Sequence, residues 1–521
     1  KVDDGTAAGS DKVARAPSPD ADGNEGGAEG SAPKKSKDAG RRDAAGYAKS
    51  RKGKEKDGKN KGRRRGTRPA DSASNTESKA PRLPKRQTAL LIGFCGTGCN
   101  GMQIQPDVRT IEGVLFGALV RAGAVSQDNA DDPVKVSLGR AARTDAGVHA
   151  AGNLVSMKLI TTIPGVNDIV ARINEELPPE IRLWGHVRVQ NSFNARMSCD
   201  SRKYTYFFPS YLLIPPKPGS GLHRTLGQHA DSTKAPSDAI KPSHPFWGTG
   251  DTSTREDDLE RKRKWRISAD SIERLRLTVH KYEGTHNFHN FTVGREFGDR
   301  SNQRHMKKIE ISEPAVYGGT EWISVLFHGQ SFMLHQRKMM AALVLSCRTD
   351  TPDQVIDELY GPRTVFIPKM PALGLLLEYP IFESYNRKVS AINNKLELTH
   401  PDYRPLIDFE MHRDDIDKFK QKYIYDNMRS IEDHSGIFDA WIRSIDMYAG
   451  NDLLYLNPRG IIPAAAVIKK GEKRDNVFRE RKRFDATSFS AETKENLLTQ
   501  DDEEEEDAVP LNRELLEDTE G

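Results

Sequence analysis

The chain has 521 residues, of which 36% are apolar and 30% charged, enough length for roughly two to four domains but not for a core that runs through all of it. Its formal charge of +4 hides an asymmetry: residues 31–70 hold 16 Lys and Arg against 4 Asp and Glu (+12), while 501–521 hold 1 against 11 (−10). No run approaches the ~18 apolar residues of a membrane-spanning helix, and four scattered cysteines exclude a disulfide framework and point to a reducing compartment.

Residues 1–84 contain almost no large aliphatic or aromatic residue, so they cannot offset the entropy of folding and are expected to be disordered. Within them, KSRKGKEKDGKNKGRRRG (49–66) reads as a nuclear address, a loose nucleic-acid arm, or a solvated tail with neither role. The start at Lys1 leaves room for an upstream targeting segment. Folded sequence begins near Arg86. QTALLIGF (87–94) predicts a buried strand, and TIEGVLFGALVRAG (110–123) an amphipathic helix with Thr110 as N-cap and Gly123 as stop. KVSLGR (135–140) and AGNLVSMKLI (151–160) predict strands, 165–177 a helix, and IRLWGHVRVQ (181–190) a strand.

That βαββαβ order then repeats. RKYTYFF (202–208) predicts a strand, 268–281 a helix, MKKIEISEP (306–314) and WISVLFHG (322–329) strands, Phe332 to Leu345 an apolar helix, and Leu373 to Tyr379 the last strand. The expected class is α+β: two ferredoxin-like halves, 85–200 and 201–385, whose sheets join in one antiparallel or mixed sheet around a central basic cleft. Residues 214–264 read as a surface insertion, 386–467 as a helical extension packed on the core, and 468–521 as a polar and acidic tail.

Gly96-x-Gly98-x-x-Gly101 matches a dinucleotide fingerprint, but Pro106-Asp107 separates the glycines from the helix that should open on them. A strand-to-loop turn close to a ligand or a phosphate backbone is the better reading. A Walker A lysine and an HExxH motif are missing, and Cys95-x3-Cys99 has no second close pair, so neither a cofactor nor a metal is expected.

LGRAARTDAGVHAAGN (138–153) concentrates Arg140, Arg143, Asp145 and His149. The Asp145-Ala-Gly147 stretch suggests a turn presenting one carboxylate. A buried structural ion pair and an active aspartate both fit it, since either needs a cation to stay ionised. His149 reads as a hydrogen-bonded packing residue.

Six blocks occur in order: GFCGTGCNGMQ (93–103), GRAARTDAGVHAAGN (139–153), FNARMSCDSRKYTYFFP (193–209), YEGTHNFHNFT (282–292), GQSFMLHQRKM (329–339) and PALGLLLEYPIF (371–382). Together they resemble the TruA-type tRNA pseudouridine synthase family, in its eukaryotic multisite nuclear branch, over about residues 86–450. The resemblance implies an isomerase that detaches a uracil from its ribose, turns it and rejoins it through C5, with no cofactor. It places the family's essential aspartate on Asp145 and its base-stacking aromatic on Tyr204. Arg143 would contact RNA or orient the neighbouring loop, helping to move the target nucleotide out of its stack. Phe193 and Arg196 would support the site, and Leu375 and Leu377 would wall the base pocket or serve as strand core.

Arg337 matches the arginine that pairs with the aspartate, but family members place two residues between the preceding histidine and this arginine, whereas this chain reads His335-Gln336-Arg337. On a helix that turns the arginine by about 100°. Either the preceding loop absorbs the slip, a codon has been lost at an exon junction, or the pair is weakened. Cys99-Asn100 also departs from the family, where an aromatic is usual. The implied partners are tRNA and, by extension, small nuclear and messenger RNA, for a monomeric nuclear protein with a mitochondrial form as the variant. The competing class is a non-catalytic RNA-binding or RNA-folding protein on the same fold.

Overall fold

A computed structural model describes residues 83–231, 244–248 and 253–472; the expectations for the basic N-terminal arm and the acidic C-terminal run lie outside them. β1 (Arg86–Phe94) is buried on both faces, which is why it reads as a continuous apolar run rather than an alternation. α1 (Ile111–Arg121) begins where the Thr110 hydroxyl accepts from Gly113 N, and the chain leaves it through Gly123 at φ +82°.

The predicted strand at 135–140 shrinks to β2 (Gly139–Arg140). Asp132 caps a tight turn over Pro133–Val136 and Ser137 takes φ +56°, so the backbone is not extended there. β3 (His149–Leu159), α2 (Ile169–Glu176), β4 (Ile181–Arg188) and β5 (Ser201–Pro209) follow as expected.

The 214–264 stretch is more than a surface insertion. It carries α3 (Gly221–Asp231) and α4 (Arg255–Lys264), Leu222 enters the main core, and the Lys262 ammonium is buried 2.8 Å from Asp439. α5 (Ala269–Val279), β6 (Gly284–Asn287), β7 (Gln303–Ile311), β8 (Ala315–Tyr317) and β9 (Thr320–Gly329) come next. The apolar helix α6 spans Lys338–Arg348 and not 332–345, because His335 adopts a left-handed φ of +57° that no α-helix continues through.

After α7 (Gln354–Leu359), β10 (Leu375–Ile381) closes the sheet. The C-terminal layer is α8 (Glu383–Asn393), α9 (Arg413–Phe419), a π-turn over Lys420–Tyr425, α10 (Asp426–Ser435) and α11 (Ile437–Met447). The helical extension expected over 386–467 is thus interrupted by a wider turn, and within that turn Lys420 reaches Glu378 of β10 at 2.8 Å.

Among the described residues, ten strands form one open mixed sheet ordered β4-β1-β3-β10-β5-β9-β7-β6, with β2 on β3 and β8 on β9. The first four-strand run is β4-β1-β3-β2 and the second β10-β5-β9-β7, so each holds its strands in the same order of appearance. They meet at a parallel pairing in which Leu376 faces His149 and Leu377 faces Ala150, while the other pairings are antiparallel. Helices flank the sheet, and α6 is buried around nearly its whole circumference.

α6 is tied to α11 by a buried bidentate pair, Arg348 Nη1 and Nη2 to Asp446 at 2.6 and 3.1 Å, and Arg348 Nε also donates to Ile214 O. Asp446→Asn should strand the guanidinium and lower stability by about 3–5 kcal/mol. Chemical denaturation checks this, and a change below about 1 kcal/mol would show that the pair behaves as a solvated one.

Candidate active site

The loop between β2 and β3 is held from several sides before any functional side chain is considered. Arg202 of β5 donates from Nε and Nη2 to Ala141 O at 3.3 and 2.7 Å, and Asn153 Nδ2 donates to Ala142 O at 3.0 Å. Val148 N closes a turn onto Asp145 O at 3.2 Å, with Gly147 at φ +76°. The glycines of the 96–101 stretch let their loop lie directly on this one. A Cβ at Gly96 would stand 2.1 Å from Val148 O, and one at Gly101, itself at φ +80°, 2.6 Å from Thr144 O. His149 Nδ1 accepts from Gly96 N at 3.1 Å, which fixes the same contact.

A cleft of about 770 Å3 opens beside this loop, and Asp145, Tyr204, Arg143, Arg337 and Leu375 all line it. Tyr204 reaches it from β5, its ring edge-on to Phe332 with centroids 4.7 Å apart. Asp145 is 24% exposed, and its Oδ2 lies 2.9 Å from His335 Nδ1. The left-handed backbone at His335 directs the imidazole there, a conformation that costs about 1–3 kcal/mol and persists because neighbours impose it. Gln336 Oε1 accepts from Met333 N at 2.6 Å, and Thr292 Oγ1 donates to Leu334 O at 2.9 Å. Arg337 lies at the mouth of α6 rather than within it. The one-residue spacing from His335 is therefore a loop spacing, and the helical rotation of about 100° does not apply.

Burial alone would raise the Asp145 carboxyl. The adjacent His335, through charge and hydrogen bond, and then the charges of Arg337 and Lys369, outweigh it and hold the group well below the ordinary carboxylate range. His335 is itself pushed down by burial, against the pull of Asp145. At neutral pH the pair is therefore an ionised carboxylate receiving a hydrogen bond from a neutral imidazole that carries its proton on Nδ1. Burial first, and then the Asp145 charge, raise the Tyr204 hydroxyl, with Arg202 opposing, so the phenol stays protonated.

Some residues singled out in the sequence lie elsewhere. Leu377 is fully buried in the core of the first half, and Phe193 packs edge-on against Tyr385 at 4.7 Å on the opposite side of the sheet. Arg196 lines a neighbouring hollow, and Arg140 pairs with buried Glu112. Conversely, sequence reasoning missed His335, Lys369 and Phe332. His335 and Phe332 stand inside the quoted block 329–339, but which of its polar residues meets the aspartate depends on a backbone angle that no pattern encodes. Lys369 carries no motif; its carbonyl accepts from Trp441 Nε1 of α11 at 2.8 Å, so a distant helix positions it. Among the described residues no group of three or more His, Cys, Asp or Glu side chains could hold a metal ion.

A family profile described as tRNA pseudouridine synthase matches residues 278–383. The chain is 40% identical over 417 residues to tRNA pseudouridine synthase 1 of Candida glabrata, covering 73% of this chain and 74% of that protein. It shows the same identity and coverage against tRNA pseudouridine synthase 1 of Saccharomyces cerevisiae. Against tRNA pseudouridine synthase 1 of Schizosaccharomyces pombe it is 36% identical over 473 residues, 73% of this chain and 86% of that protein.

The electrostatic account can be tested without an activity. Arg337→Gln removes a cation that favours the ionised form, so the Asp145 carboxyl should titrate at a higher pH than in the unaltered protein. Carboxyl-carbon NMR reads the midpoint, and an unmoved midpoint would show that the Arg337 charge does not reach Asp145.

Proposed function

This chain belongs to the tRNA pseudouridine synthase family, and from that premise we propose that its cleft isomerises uridine to pseudouridine in tRNA with Asp145 as the essential carboxylate. The observation that carries the assignment is the convergence of an ionised Asp145 and Tyr204 on one cleft with Arg143 and Arg337. The target uridine enters after leaving its stack. Tyr204 stacks on its base, Leu375 walls the pocket, and Arg143 meets the RNA at the entrance.

The N1–C1′ bond breaks, the uracil turns, and C5 bonds to C1′; C5 then loses its proton and N1 ends protonated. The product is an isomer, so the balance needs no water, oxidant or leaving group. Attack on C1′ and removal of a sugar proton are alternative uses of the same oxygen, and both require the carboxylate form that His335 and the nearby cations favour.

We read the sheet as two ferredoxin-like halves, 85–200 and 201–385, with 386–467 as a helical extension. The repeated strand order supports this reading, since in each run the first strand lies between the fourth and the third. Small nuclear and messenger RNA as further substrates, a monomeric state and a nuclear location, with a mitochondrial form, belong to the same proposal. The resemblance to the eukaryotic branch supports them, and the excess of 16 Lys and Arg over 4 Asp and Glu in residues 31–70 supports the nuclear address.

Asp145→Ala should lower the single-turnover rate by at least about 10³-fold while RNA affinity changes only a few-fold. Tritium release from C5-labelled uridine in tRNA measures the rate, and retained turnover would remove Asp145 from the chemistry. Tyr204→Phe keeps the ring and loses the hydroxyl, so it should bind RNA but react poorly; a rate equal to that of the unaltered protein would confine Tyr204 to stacking.

A further inference from the structure

A second hollow, of about 460 Å3, adjoins the cleft and shares Arg143 with it. Arg140, Arg143 and Arg196 line it, together with Leu138, Gly139, Ala141 and Asn194, and among the described residues no carboxylate does. Its donors are held in place. The Nε of Arg140 pairs with the buried Glu112 carboxylate, whose other oxygen accepts from Ile104 N at 3.1 Å. This pairing leaves the two terminal nitrogens of Arg140 as the donors that can face the hollow. Asn194 Oδ1 accepts from Arg196 N and Met197 N at 3.0 and 3.1 Å, closing a turn that Ala195 N fastens to Ser156 Oγ at 3.1 Å. The Asn194 oxygen is thereby used within the turn, and its amide NH2 is the end turned to the hollow. A Cβ at Gly139 would lie 3.7 Å from Asn194 Nδ2, so glycine there keeps the space open.

Three guanidinium groups converge on this one hollow. Planar, forked donors match the non-bridging oxygens of a phosphate, whereas a cation would be repelled by the three guanidinium groups. Because Arg143 lines both the hollow and the catalytic cleft, an anion held here lies close to whatever occupies the cleft. Resting on the function proposed above, we infer that this hollow binds the phosphodiester flanking the target uridine. Holding that phosphate fixes the strand at Arg143 and sets which nucleotide is extruded, a role distinct from the base contacts in the cleft.

The test is a substrate stem-loop carrying one neutral methylphosphonate, moved position by position around the target uridine, with isomerisation followed by the full-length protein. At the flanking position the half-saturating RNA concentration should rise about tenfold, a factor worth about 1.4 kcal/mol. Arg196→Gln should raise it by a similar factor on unmodified RNA, by more than it lowers kcat, and should reduce the slope of log affinity against log salt by about one. The two losses should not add, and Arg196→Lys should recover part of the affinity.

A flat methylphosphonate profile in the unaltered protein overturns the inference, as do losses that add. If Arg196→Gln does not fold, the methylphosphonate profile of the unaltered protein is decisive without it. Competition by inorganic phosphate that disappears in Arg196→Gln, alongside a flat profile, assigns the hollow to a free anion and equally overturns the inference. Turnover of unmodified RNA with a flat profile leaves the proposed function standing, whereas no turnover of unmodified RNA removes both.

Discussion

A carboxylate has to remain ionised although it is largely buried, and the surrounding structure can be understood from that demand. Asp145 meets it with one short hydrogen bond from His335 and with the charges of Arg337 and Lys369. None of these partners belongs to the loop that carries the aspartate. His335 depends on a loop whose Leu334 carbonyl is held by Thr292, and the Thr292 carbonyl in turn accepts from Lys338 Nζ at 2.9 Å. Lys369 depends on the indole of Trp441. Removing a tie in this chain would relax the charge balance without touching the aspartate itself.

The parallel contact between β3 and β10 makes this possible. It places the start of β3, just after the aspartate loop, beside the strand that carries Leu375 and Leu377, with β5 and Tyr204 next in the sheet. Arg202 spans the same junction, since its side chain from β5 clamps the Ala141 carbonyl of the first half. The cleft is therefore a product of how β3, β10 and β5 join in one sheet.

The helices after β10 extend the logic outward. Buried charge pairs, Arg348 with Asp446 and Lys262 with Asp439, fasten α11 to α6 and to the insertion. Such pairs offset desolvation only where geometry is well matched, so they specify one arrangement of these helices, the one in which Trp441 supports Lys369. The second hollow adds a recess lined by three arginines beside the cleft.

Much of this was legible in the sequence. The apolar runs and their caps located the strands of both repeats and α1 to within a few residues, because hydrophobic period and end signals are local. The ordered blocks drew attention to Asp145, Tyr204, Arg143, Arg337 and Leu375, which the fold brings to one cleft. The errors came where geometry overrode pattern. A proline turn consumed most of a predicted strand, and a left-handed histidine delayed a helix. By itself the sequence determined which segments are strands and helices and which carboxylate stands out chemically, since those properties reside in short stretches of chain. Only the tertiary structure decided that His335 faces Asp145, that Lys369 lends its charge, and that Arg140, Arg143 and Arg196 share a hollow. Each of these depends on backbone angles and on contacts between segments far apart in the chain, where distance in space is set by packing and not by sequence separation.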